Sequence, residues 1–180
     1  MFTREDPRSK GTNMTIAEIL LQDFDQEMKG TRTTLERIPE TNPEFKCHEK
    51  SMPMGRLAVH VSTLPRFGIN ILTTCELDLA TTKWPDMTFV SREKLLADFD
   101  ALSAEARKHL AGSSDEHLQK NWKMSWGDKV LADAPRSLLY RTMFFNHVIH
   151  HRAQLGVYLR LNDIPVPALY GPSADDKLGF

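Results

Sequence analysis

Residues 140–161 read YRTMFFNHVIHHRAQLGVYLRL, and this stretch decides the fold. Taken every three or four positions it gives Tyr140, Phe144, His147, His151, Gln154, Tyr158 and Leu161. That is a heptad-like stripe, the pattern of a helix facing the interior of a bundle. Two histidines stand in its middle, where Leu or Ile is the usual occupant. At about 100° per residue, His147 and His151 lie about 40° apart and one turn removed, close enough to clasp one metal ion. His150 points about 60° to the other side of His147, at the stripe's edge, and is the weaker ligand candidate.

A lone inward histidine is usually a core residue bonded to its neighbours. A pair at i and i+4 on an otherwise apolar stripe asks for more, because each buried imidazole without a partner costs free energy. One metal ion satisfies both, and neutral imidazole is a common protein ligand for such ions. A second helix is expected after Ser51-Met52-Pro53, with Ser51 or Met52 at its cap and Pro53 in its first turn. Its stripe is Leu57, His60, Leu64, Phe67 and Ile71, with Cys75 one turn beyond. Here too a histidine occupies a core-facing slot. Pro65 removes the hydrogen bond to the carbonyl of Val61, so a kink is expected beside His60. A third histidine completes a three-His set, which leaves an open coordination position, the catalytic rather than the structural arrangement. The pair is not the HExxH metalloprotease motif, since Val148 stands where the glutamate base belongs.

Outward from these helices, residues 1–14 read as a flexible tail and 15–180 as a single domain. Met14 is a conceivable alternative start. Thr15-Ile16-Ala17-Glu18 has the form of a capping box. Ile16, Ile19, Leu20, Phe24, Met28, Leu35 and Ile38 then carry one apolar face to about residue 38, with Gly30 a weak point but not an end. Residues 79–90 read as a connection. Ser91 caps a third long helix with Leu95, Phe99, Leu102, Ala106 and Leu110 inward, ended at Gly112. Leu118, Lys120, Trp122, Met124 and Trp126 then alternate, and Gly127-Asp128 makes a turn, the signature of a short hairpin. Pro135 opens the histidine-bearing helix. Beyond Asn162 the chain is too rich in Pro and Gly for regular structure.

The totals exclude several classes. With 23 basic and 24 acidic residues, net charge −1 and no Lys/Arg cluster, nothing marks a nucleic-acid or anionic-membrane binder. No apolar run reaches the ~18 residues of a membrane span. The first residues lack the apolar core of a secretory signal, so a cytoplasmic protein is expected. Among the remaining reactive residues, His48, His109 and His117 read as solvated or capping. Cys75 reads as a small core residue and Cys47 as an exposed thiol, a Cys47/His48 nucleophile pair being disfavoured. Asp23 is a weak candidate for a base or extra ligand.

The blocks HEKSMPMGRLAVHVSTLPRF (48–67) and NHVIHHRAQLGVYLRLNDIPVPALYGPSAD (146–175) resemble the DinB/YfiT-like superfamily, over about residues 15–175. The resemblance implies an all-α four-helix bundle with a long crossover, here with a hairpin-like insert before the last helix. It implies frequent dimers and a divalent metal held by three histidines, which by motif are His60, His147 and His151. Ala153 stands where the family often has Gly. Some relatives are S-transferases using low-molecular-weight thiols, others mycothiol-dependent isomerases, and many have no known activity.

The expected function is thus metal-dependent. A Zn or Ni ion on His60, His147 and His151 activates a low-molecular-weight thiol for attack on a small electrophile, as in an S-transferase. Gln154, Tyr140 and Arg152 are expected around the pocket. The alternatives are a metal-dependent hydrolase and a non-enzymatic metal-binding or stress-response protein. A homodimer is expected from the resemblance, with Trp84, Trp122 and Trp126 as candidate interface aromatics. The expected partner is a small-molecule substrate, neither nucleic acid nor membrane.

Overall fold

A computed structural model describes residues 14–177; the expected tail lies almost wholly outside them. Helix α1, Ile16–Leu35, opens on the expected capping box. Glu18 N–H donates to Thr15 Oγ1 at 3.2 Å and Thr15 N–H to Glu18 Oε2 at 2.8 Å. Ala17, Leu20, Phe24 and Met28 are buried, whereas Ile19 faces solvent, contrary to the expected face. The helix ends at Leu35, earlier than expected, although Ile38 still packs into the core. Gly30 sits mid-helix for a packing reason: a Cβ there would lie 3.1 Å from the Arg152 guanidinium.

Helix α2, Met54–Thr63, follows Pro53, and α3, Pro65–Thr73, follows Leu64. The kink beside His60 is therefore a full break at Pro65. The Val61 carbonyl deprived by Pro65 takes a long 3.4 Å bond from Leu64 N–H instead. Cys75 falls past α3 and is exposed, not packed as expected. Next comes β1, Glu76–Asp78, a strand too short to show any period in sequence. Helix α4, Arg92–Ala111, is capped by Ser91 as expected, and packs on α1, α2 and α3. A short α5, Asp115–Gln119, was not anticipated.

The hairpin is β2, Asn121–Trp126, and β3, Lys129–Pro135, joined at Gly127, whose φ of 55° suits glycine. Strand β1 adds to β2 in parallel, Glu76 opposite Lys123, giving the order β1-β2-β3. Trp122 is fully buried, its ring edge-on to Phe67 and its Nε1–H donating to Thr74 Oγ1 at 3.0 Å. The expectation of an all-α four-helix bundle is thereby corrected: among the described residues the chain is mostly helical with a three-stranded sheet. What sequence showed as an insert is a sheet completed by a segment about 45 residues upstream.

Pro135 opens α6, Arg136–Leu139, which passes into a π-helical segment, Tyr140–Phe145, and then α7, Asn146–Leu161. The wider turn lets Tyr140, Phe144 and Phe145 all face inward, with the two Phe rings 6.2 and 6.4 Å from Phe24. Such π turns insert a residue into the helical register. Accordingly the fully buried column of α7 is Val148, Arg152, Leu155 and Leu159. His147, His151 and Gln154 form the adjacent, half-buried column, facing α2.

Candidate metal centre

His60 comes from the last turn of α2, and His147 and His151 from successive turns of α7. Their rings form one cluster, with centroids 5.0 Å apart for His60–His147, 4.5 Å for His60–His151 and 4.7 Å for His147–His151. One ring nitrogen from each lies within 4.8 Å of the other two. The Nε2 atoms of His60 and His147 approach to 3.2 Å. Two imidazoles bound tetrahedrally at about 2.0–2.1 Å would place their nitrogens about 3.3 Å apart, so this pair already has the separation of ligands on one ion.

Burial shapes the protonation of the set. Desolvation, followed by the mutual proximity of the imidazoles, pulls His60 and His147 down to about 4. Desolvation also lowers His151, partly opposed by its hydrogen bond to Gln154. Neutral imidazole is the form that ligates a metal. The three residues thus fit a divalent ion by donor type, separation and charge state. His150 projects to the other side, exposed, and meets the Gln154 amide at 3.1 Å.

The profile of the DinB family matches residues 9–177. The chain belongs to the DinB family. No curated protein matches it. Among solved structures, it is similar to a DinB-like protein from Bacillus cereus at 20% identity and TM-score 0.63, covering 87% of this chain and 98% of that one. A DinB-like protein from Bacillus subtilis is 18% identical with TM-score 0.62, covering 82% of this chain and 95% of that one. These likenesses speak to the fold.

In this DinB chain a cavity of about 400 Å³ opens beside His151. Gln154 and Tyr158 line it from α7, Leu57 from the first turn of α2, and Cys47, Lys50, Ser51 and Met52 from the preceding loop. Of the residues expected around the pocket, Gln154 lines this cavity. Tyr140 and Arg152 are not among the lining residues. Tyr140 is fully buried among Phe144 and Phe145, and among the described residues its hydroxyl has no hydrogen-bond partner. Arg152 lies on the core column of α7, where its Nη2 donates to Glu27 Oε2 at 2.6 Å and its Nη1 to the Glu27 carbonyl at 2.9 Å. Tyr170 donates to the same carboxylate at 2.6 Å and stacks on the guanidinium. Arg152 therefore clamps α7 to α1 and the C-terminal segment.

The lesser candidates resolve simply. Asp23 pairs with Arg141 at the surface, 2.6 Å away. His117 bonds the Leu72 carbonyl at the end of α3, and His48 accepts from Lys50 N–H. Cys47 is turned to Ser51 Oγ at 3.4 Å rather than to His48, and Ser51 and Tyr158 hold its thiol below the usual range. Sequence reading missed that the loop 47–52 walls the histidine site. Tyr158 carried a signal, one turn beyond Gln154 on the histidine stripe; the loop, lacking period, carried none.

Proposed function

We propose that this protein is a metal-dependent S-transferase, joining a low-molecular-weight thiol to a small electrophile at the three-histidine site. The S–H bond of the thiol breaks with its proton released to solvent, a carbon–sulfur bond forms, and the leaving group departs with the electron pair of its bond. The observation that carries the reading is the cavity beside His151, whose lining includes no Asp or Glu among the described residues. Metal-assisted hydrolysis ordinarily uses a carboxylate base to take the proton of water. Here none is supplied. His60, His147 and His151 would hold a divalent ion, with Zn or Ni favoured by the imidazole donors, and such an ion would supply the acidification that turns a bound thiol into its thiolate.

The chain's own residues do the remaining work. Gln154 orients His151, the apolar flank of Met52, Leu57 and Val157 holds a carbon skeleton and limits water, and the open mouth admits the electrophile. Three protein ligands and an adjoining cavity suit a reactive rather than a closed site.

The test pairs elemental analysis with turnover of 1-chloro-2,4-dinitrobenzene by a panel of thiols, in metal-loaded wild type and His147→Ala. About one ion per chain and thiol-dependent turnover, both lost in the variant, are expected. Full metal content in His147→Ala removes the assignment. Turnover without thiol favours a hydrolase, and no metal-dependent turnover favours a non-enzymatic binding protein.

A further inference from the structure

The cavity beside His151 also carries information on the charge of its ligand. Its lining holds a single formally charged side chain outside the histidine set, the exposed Lys50. Among the described residues Lys50 enters no ion pair. The three histidines ligate as neutral groups, so a divalent ion held by them would bring two positive charges that no carboxylate of the lining offsets. Positive charge in a pocket with an apolar flank selects a negatively charged organic molecule.

We propose that the thiol taken by this site bears a carboxylate, with the sulfur toward the histidines, the carbon skeleton along Met52, Leu57 and Val157, and the carboxylate on Lys50. This rests on the thiol-transfer reading and narrows its co-substrate from thiols in general to acidic thiols. Ser51 and Gln154 add hydroxyl and amide groups along the path. Lys50 is exposed, and an exposed charge pair has the strength of a selectivity effect: about fivefold in affinity.

The experiment uses calorimetric titration of the zinc-loaded protein with three probes of similar length: 3-mercaptopropionate, 3-mercapto-1-propanol and propionate. The acidic thiol is expected to bind about fivefold tighter than the neutral one. Lys50→Gln abolishes the preference, Lys50→Glu reverses it, and Lys50→Arg keeps it. Raising the salt concentration narrows the gap. Equal affinity for the two thiols in wild type, or a preference untouched by Lys50→Glu, overturns the inference while leaving the thiol reading standing. Binding of propionate that depends on Lys50, with no added affinity from the thiol group, supports an anion site and overturns the thiol reading. Failure of all three to bind overturns both.

Discussion

His151 Nδ1 lies 2.7 Å from Oε1 of Gln154. An amide oxygen only accepts, so the proton sits on Nδ1 and the Nε2 lone pair is free for a metal. The same amide extends its Nε2 to His150 at 3.1 Å, which holds the side chain from its other end. Partners that orient a ligating imidazole commonly contribute 10- to 100-fold in metal affinity. Gln154→Leu should therefore weaken metal binding by about that factor, whereas Gln154→Glu, which retains an acceptor, should largely preserve it. Competition with a chelator measures both. Unchanged affinity in Gln154→Leu would relegate this residue to the cavity wall.

Acid should destabilise the metal-free protein through the same cluster. The native pKa values of His60 and His147 lie near 4, against 6.5 for the free side chain. Between these values the unfolded chain takes up protons that the folded chain refuses, so stability falls as pH falls. It is complete above about pH 6.5 and declines toward pH 4. Thermal melts of metal-free wild type across this window should slope more steeply than those of the His60→Leu/His147→Leu variant. Parallel slopes would mean that the histidines are solvated in solution.

The buried pair between Arg152 and Glu27, with side chains 2% and 10% exposed, should respond asymmetrically. Arg152→Met strands a carboxylate in the interior and should cost about 3–5 kcal/mol. Arg152→Met with Glu27→Leu removes both charges and should recover most of that loss. Tyr170→Phe deletes one donor to the same carboxylate and should cost about 1.5–3 kcal/mol. Urea unfolding of wild type, Arg152→Met, Glu27→Leu and the double variant completes the cycle; additive losses would show that the two residues do not act as a pair.

A homodimer is the expected assembly, by the family resemblance and the exposed aromatics. Trp84 and Trp126 are 60% and 61% exposed, as interface residues are in an isolated subunit. Trp122, fully buried against Phe67 within the subunit, drops out of that argument. Light scattering over a concentration series should give twice the chain mass, and Trp126→Ser should lower the concentration-dependent association. A single-chain mass throughout would end the proposal.

What the sequence by itself determined follows from local rules. The capping box at Thr15, the Ser91 cap, the disruption of the helix at Pro65 (as a kink) and the Gly127 turn all depend on residues within a few positions of each other, so they were legible before folding. The three histidines were legible as well, because helical period and motif each depend on spacing along the chain. Only the tertiary structure decided the rest. Strand β1 exists because Glu76–Asp78 finds β2, and no period in three residues announces that. The π turn at Tyr140–Phe145 rotates α7 so that Arg152 enters the core and the histidines line its edge. Its cause is the packing of Phe144 and Phe145 around Phe24, more than 100 residues away in the chain. The cavity likewise joins an aperiodic loop to one face of a helix. Contacts between segments remote in sequence leave no local pattern, and they are what brings Lys50, Ser51 and Tyr158 to the side of His151.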